Sequence, residues 1–392
     1  MWINRAITPK IENTLSKGKS VLLFGPRQCG KTSLVKRFEH DLYITLMQPN
    51  TLRRYILNPE AFFEEVKALK VALGRKPVVI VDEVQKIPDF TDGIQVLIDE
   101  QIAQFIITGS SARKIKNLLP GRVIKFILTP LNLLEIDPEN INLNKVLING
   151  TLPEIYAADI QDYINELLNT YVNVYIEEEI RKEALVRNIS AFTNFLQLAC
   201  IESGNTINLS KISADIGVSH HTIMDYYNIL RDCMLTTVVQ PLITSDSRKR
   251  LTKSAKYIIF DMGIKRSAAN EPDQPGSQQL SMLFEQYIGI EISRILEILS
   301  PNAKLLFWRS HDGPEVDYII YYNNKYTPIE VKWTQNPTNT DIKHLITFQK
   351  EYTVHDYCYL LCRCDKPRLM TDKIMATSWK ELPNIIKSII LV

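Results

Sequence analysis

The stretch KSVLLFGPRQCGKTSLVKRF, from Lys19 to Phe38, constrains this chain more than any other. It sets Gly25, Gly30, Lys31 and Thr32 at the spacing G-x-x-x-x-G-K-T. Before the loop, Val21 to Phe24 reads as a buried strand; after it, Thr32 to Phe38 reads as a helix. Each residue type there has a task. Glycines let successive backbone N–H groups close round phosphate oxygens, and the helix N-terminus adds partial positive charge. The lysine reaches the β- and γ-phosphates, and the threonine hydroxyl can ligate magnesium. Gly25, Pro26, Arg27, Gln28, Cys29, Gly30, Lys31, Thr32 and Ser33 are therefore the expected nucleotide cradle, with ATP and Mg2+ as its ligands.

A second element fits the first. PVVIVDEVQKI is a wholly apolar run ending in Asp82 and Glu83, as a strand buried on both faces of a parallel sheet would. Asp82 is expected to hold magnesium, usually through water, and Glu83 to polarise the attacking water. A third run, QFIITGSSARKI, brings Thr108 and Ser110 to the same edge, where a polar group can sense the γ-phosphate. Arg122 opens a further strand and is expected to reach a phosphate either in cis or in a neighbouring subunit. Strands at Val21, Leu42 to Leu46, Val78, Phe105 and Val123, with helices between them, specify a parallel sheet covered on both faces.

From Leu152 to about Arg187 the chain reads as charged helix, with Glu177 to Glu179 a solvated face, and suits a lid over the nucleotide. NLSKISADIGVSHHTIMDYYNILRDCML then reads as two short helices crossing at Gly217, the second capped by Ser219. Ile212, Ile216, Val218, Ile223, Tyr227 and Leu230 form its inward stripe. His220, His221, Thr222, Asp225 and Asn228 face outward. The strand TTVVQPL follows, then a basic run with Arg248, Lys249, Arg250, Lys253 and Lys256. That order suggests a winged helix whose wing touches DNA phosphates, or else a protein-interaction module with a solvated loop.

The last third opens with an apolar helix, Met282 to Leu299, carrying Glu285. LLFWRS, VDYIIYY and TPIEVKW read as three strands, the last two joined by the turn residues Asn323 and Asn324; a helix to Glu351 and the strand YCYLLC complete a small α/β sandwich. Alternation puts Glu330 and Lys332 on one face, and a hairpin can bring Asp317 beside them. Asp317 and Glu330 are then a magnesium site for phosphodiester hydrolysis, with Lys332 positioning water or offsetting charge and Glu285 completing the site. The bland alternative is exposed strand acids with a surface lysine as partner.

The ordered set GPRQCGKTS, VVIVDE, ITGSSARKI, LPGRVIKFILTPL, INGTLPEIY, NTYV, LSKISADIGVS, KSAKYIIFDMGI, WRSHDGPEVDYI and PIEVKW resembles prokaryotic AAA-type P-loop ATPases. These bear a winged helix and a C-terminal domain of unknown function with a restriction-endonuclease-like PD-(D/E)xK core. The resemblance implies ATP binding by Lys31, Thr32, Asp82 and Glu83, and a nuclease-type centre at Glu285, Asp317, Glu330 and Lys332.

At 392 residues the chain is long enough for two or three cores. The expected partition is an AAA-type domain at 1–150, a helical lid at 151–188, a winged helix at 189–247 and an endonuclease-like α/β domain at 248–392. A net charge of +2 gives no global pull toward nucleic acid or membrane, so any basic surface is local. No apolar run approaches the ~20 residues of a membrane span. Six cysteines without a paired C-x-x-C pattern read as buried thiols of a cytoplasmic protein. The expected function is a DNA-binding, magnesium-dependent ATPase that couples nucleotide state to the winged helix and nuclease-like domain, with assembly into a homo-oligomer left open. The competing expectation is a regulatory switch whose nuclease-like domain no longer cleaves.

Overall fold

Every residue of Ser20–Phe24 (β1) is buried, and that strand is the axis of a five-stranded sheet. The other strands are Leu42–Thr45 (β2), Val78–Asp82 (β3), Gln104–Gly109 (β4) and Val123–Ile127 (β5), in the order β2-β3-β4-β1-β5. All four pairings are parallel, as buried, nearly continuous apolar strands require. The computed structural model describes residues 2–87, 90–110, 121–176, 188–243, 254–310 and 313–391. Its two compact units are Met1–Leu131 with Asp232–Met234, and Asn132–Arg231 with Leu235–Val392.

In the first unit, the helix Glu60–Leu73 places Phe62 against Phe90 of Phe90–Asp99, the rings stacked at 4.6 Å, with Tyr55 and Phe105 at their edges. Each such ring contributes roughly 2–3 kcal/mol by leaving water. This packing holds one side of the sheet and leaves the strand ends free to carry polar groups.

The second unit begins earlier than residue 150, because Leu133, Val146 and Leu147 pack into its core. The expected lid region is helical where described, at Pro153–Ala157, Gln161–Thr170 and Tyr171–Ile176. Arg266 ties it to the helix Met262–Ala268, donating to Asn165 Oδ1 at 2.7 Å and to the Ile148 carbonyl at 2.9 Å. Glu177 to Glu179 lie outside the described residues.

The helices Leu209–Ile216 and His220–Asp232 meet at Gly217, whose φ of 77° is left-handed and favours glycine. Ser219 Oγ accepts from Thr222 N at 3.1 Å, the expected cap. Ile212, Ile223, Tyr227 and Leu230 are buried, Ile216 and Val218 partly so, and His220, His221 and Asp225 are exposed. The rings of Phe192 and Phe195, from the preceding helix Ile189–Ile201, pack on Tyr226.

Thr236–Pro241 (β6) and Lys256–Ile259 (β7) form an antiparallel hairpin, but it is no separate wing. β6 pairs in parallel with Lys304–Arg309 (β8), Gln240 opposite Leu306. With Glu315–Tyr322 (β9), Lys325–Val331 (β10), Cys358–Cys362 (β11), Arg368–Thr371 (β12) and Ile374–Ser378 (β13), the result is one eight-stranded sheet ordered β12-β13-β11-β10-β9-β8-β6-β7. The boundary expected at residues 247 and 248 therefore falls inside a continuous sheet. Asn323 and Asn324, both at positive φ, make the turn between β9 and β10. The helix Ser277–Leu299 packs on this sheet, and Gly289 admits the Tyr318 ring: a Cβ there would meet Tyr318 Oη at 2.4 Å. That hydroxyl donates to the Glu285 carbonyl at 3.0 Å and ties helix to strand.

Buried charge crosses the second unit at a different point. Asp261 accepts from the amides of Thr151, Gly263 and Ile264, and Arg294 donates to Glu291 Oε1, to Thr151 Oγ1 and to the Phe260 carbonyl. Burial pushes Glu291 up to about 7 despite Arg294 beside it. These groups explain INGTLPEIY and KYIIFDMGI as structural signatures: a Cβ on Gly150 would strike the Asp261 carboxylate.

Candidate functional site

The loop after β1 is held from several sides. Gly30 has φ 90° and Gln28 has φ 61°, both left-handed, which curls the loop back on itself. Gly25 lies so close to the Leu128 carbonyl that a Cβ would come within 2.2 Å of its oxygen. Lys31, 5% exposed, donates from Nζ to the carbonyls of Gly25 at 2.8 Å and Pro26 at 3.0 Å. The lysine thus satisfies its own loop. Arg5 adds a clamp, donating to the carbonyls of Cys29 and Thr129, both at 2.6 Å. The helix Lys31–Val35 then carries Thr32.

Asp82, 1% exposed at the end of β3, accepts from Thr32 Oγ1 at 2.9 Å, from Tyr43 Oη at 3.0 Å and from Thr108 Oγ1. Asp82 and burial together push the Tyr43 hydroxyl up to about 12, burial being the larger cause. Glu83 follows at φ 62°, a strained value for a residue with a side chain. Thr108 Oγ1 accepts the Glu83 amide at 3.0 Å, and the Glu83 carboxylate accepts from Ser110 Oγ at 3.1 Å and from Gln85 Nε2. Thr32 and Asp82 are already paired as magnesium ligands must be, and the lysine and loop amides suit phosphate oxygens. The residues fit a magnesium nucleotide.

In the second unit the β9–β10 register, Ile329 opposite Tyr318, sets Glu330 opposite Asp317. Asp317, 8% exposed, accepts the Val331 amide on Oδ2 at 2.8 Å; Glu330, 3% exposed, accepts from Lys332 Nζ on Oε1 at 2.6 Å. Glu330 Oε2 is buried without a hydrogen-bond partner. An orphaned carboxylate oxygen costs about 1–3 kcal/mol or more, and a cation relieves it. Lys256 enters from β7: its Nζ lies 2.6 Å from Glu315 Oε1 and 3.8 Å from Glu285 Oε1, with 4% of its side chain exposed.

Electrostatics follow from that crowding. Burial, then the neighbouring Asp317, push Glu285 and Glu330 each up to about 8, and burial raises Asp317. Burial works against the ammonium groups of Lys256 and Lys332, but the surrounding carboxylates outweigh it and raise both. Among the described residues no three or more His, Cys, Asp and Glu side chains form a ready metal cage. A pair of carboxylates with the rest of the shell left to water and phosphate suits magnesium.

Residues 17–137 match the family model described as an AAA domain. The first unit carries an AAA-type P-loop domain. Residues 140–274 match a domain of unknown function (DUF8612), and residues 280–382 another (DUF4143). An uncharacterized protein of Mycobacterium tuberculosis is 22% identical over 349 residues, covering 85% of this chain and 75% of that protein; one of Mycobacterium bovis matches to the same extent. Among solved structures, a signal transduction ATPase with numerous domains (STAND) protein with a tetratricopeptide repeat sensor, from Pyrococcus horikoshii, is 13% identical. The likeness covers 76% of this chain and only 46% of that one, at a TM-score of 0.23. A protein from Vibrio cholerae is 11% identical over 95% of this chain and 97% of its own, at a TM-score of 0.21. At those scores neither structure bears on fold or function.

In the AAA domain the sequence-derived residues Gly25 to Ser33, Asp82, Glu83, Thr108 and Ser110 gather at the C-terminal ends of β1, β3 and β4. Arg122 does not join them. Its neighbour Val123 pairs with Ser20, so Arg122 sits at the opposite end of the sheet, ion-paired to Asp99 at 2.7 Å. Four to five strand residues at ~3.3 Å each separate it from the loop, which rules out the cis contact. In the second unit Asp317, Glu330 and Lys332 come together as expected, whereas Glu285 faces Lys256. Lys256 itself is corrected: counted in the basic wing, it is buried among acids. Arg248, Lys249, Arg250 and Lys253 lie outside the described residues, as do Ser111 to Ile115 and the His311-Asp312 turn. Sequence reasoning missed Arg5, Gln85 and Glu315. Only Glu315 had a signal, being two residues before Asp317 and so on the same strand face.

Proposed function

We propose that the chain is a magnesium-dependent ATPase that binds DNA, and that nucleotide state in the AAA domain governs a winged helix and a restriction-endonuclease-like centre in the second unit. The observation that carries the ATPase reading is the joining of Thr32 to Asp82 by hydrogen bond, with Glu83 next in the chain and held apart by Ser110 and Gln85. Thr32 and Asp82 would hold magnesium, which offsets phosphate charge when bound. Lys31 turns from the Gly25 and Pro26 carbonyls to the phosphates, and Glu83 takes the proton of the attacking water once its two partners release it.

Support for DNA contact comes from two helices crossing at Gly217, followed by the β6–β7 hairpin, with His220, His221 and Asp225 exposed. Support for the nuclease-like reading comes from Asp317, Glu330 and Lys332 on adjacent strands, with one carboxylate oxygen left unpartnered. Asp317 and Glu330 would hold the metal, and Lys332 would orient water beside it.

The test is a paired assay of ATP turnover and magnesium-dependent DNA nicking, over single-stranded, duplex and branched DNA. Lys31→Ala is expected to abolish turnover, and Asp317→Asn to abolish nicking while leaving turnover intact. If wild type nicks no form of DNA yet DNA alters its ATPase rate, the centre has lost cleavage and the chain is a nucleotide-operated switch. A wild type that turns over no ATP overturns the proposal.

A further inference from the structure

The acidic centre contains a cation already. Glu285, Glu315, Asp317 and Glu330 converge from the helix Ser277–Leu299 and from β9 and β10, and Lys256 and Lys332 stand among them. The two lysines divide the acids. Lys332 serves Glu330 at the β10 end, and Lys256 serves Glu315 and Glu285 at the other. Arg309, 3.5 Å from Glu315, and His344, 4.0 Å from Glu330, flank the cluster but are 45% and 40% exposed, so water screens them.

Lys256 is unlike a surface partner. Its side chain is 4% exposed, its Nζ lies 5.0 Å over the Phe307 ring, and it arrives on β7, outside the β8–β10 strands that carry three of the acids. Four carboxylates against two ammonium groups leave an excess of two negative charges, which one divalent cation cancels. The unpartnered Glu330 Oε2 marks the side of the cluster where that cation is missing a place to be refused: Asp317 and Glu330 are not engaged by Lys256. Resting on the reading of Asp317 and Glu330 as a metal pair, we propose that the Lys256 ammonium permanently fills a second cation position between Glu285 and Glu315. The centre therefore takes a single divalent ion, and a segment outside the three central strands sets that number.

The consequence is countable. Full-length, nucleotide-free protein is titrated with Mn2+ alone, and bound ions per chain are measured by equilibrium dialysis with electron paramagnetic resonance of free Mn2+. Lys256→Met is expected to bind one ion more than wild type, and Glu285→Gln in that background to remove the added ion. Lys256→Arg, which keeps the positive charge, is expected to leave the wild-type count. Where Lys256→Met is too unstable to titrate, Lys256→Gln carries the same count, and Mn2+ should raise its melting temperature by more than it raises that of wild type. An unchanged count, or an equal melting shift, overturns the inference. Failure of the underlying metal-pair reading appears elsewhere, as an equal count in wild type and Asp317→Asn.

Discussion

The nucleotide loop and the acidic centre both gather charge in a buried place, yet they balance it differently. In the loop, every charged group has a local answer: Lys31 rests on carbonyls five and six residues away, and Asp82 accepts from three hydroxyls. In the acidic centre, acids outnumber their lysines and one oxygen has no partner. The difference teaches what each region needs from outside. The first is stable at rest and must be disturbed to act; the second is under electrostatic load until a cation or protons arrive.

Glu83→Gln probes the first region most sharply. ATP turnover should fall about a hundredfold or more, the scale of a lost general base, while nucleotide affinity stays near wild type by calorimetry. Unchanged turnover would erase the contrast, because Glu83 would then be only another satisfied acid.

The pH dependence of cation binding separates the two regions next. Glu285 and Glu330 titrate near 8 in the metal-free chain, above their ordinary values, so a divalent ion must displace protons below that pH. Mn2+ affinity at this centre should rise about tenfold per pH unit for each proton displaced, between roughly pH 6 and 8. Folding stability of the metal-free chain has the opposite sign. Raised carboxyls bind more protons in the folded state, so their contribution is present below the ordinary carboxylate range and is lost as pH climbs through about 8. Glu330 should account for more of it than Glu285, whose side chain is 34% exposed. A flat pH profile for Mn2+ would mean that the acids carry no such load.

The smallest effect tests the frame that presses the acids together. Gly289→Ala sets a methyl against Tyr318 and should destabilise the chain by about 1–3 kcal/mol, read as a lower melting temperature, with ATP affinity unchanged. A loss of ATP affinity instead would mean that the two regions are not energetically separate.

Much of the fold was legible because it is local. Five buried strands, the Asn323-Asn324 turn, the Ser219 cap and the Gly217 crossing all follow from apolar runs and residues with particular backbone preferences. The i,i+3 pair Glu291–Arg294 inside an apolar helix was legible in principle, since charges there demand buried partners. Arg5 gave no sign, because its two carbonyl partners are set by how distant loops happen to approach.

By itself the sequence determined the nucleotide loop, its pair of acids and the strands that present them, since spacing along a strand, a turn and a helix dictates geometry within a few residues. It also determined that Asp317, Glu330 and Lys332 share a hairpin. Tertiary structure alone decided that Arg122 points away from the loop, that the β6–β7 hairpin joins the larger sheet, and that Lys256 is an internal cation and not part of a basic surface. The physical reason is range. A lysine's stem is apolar and its charge strong, so whether it faces water or a cluster of carboxylates depends on which distant strand pairs beside it.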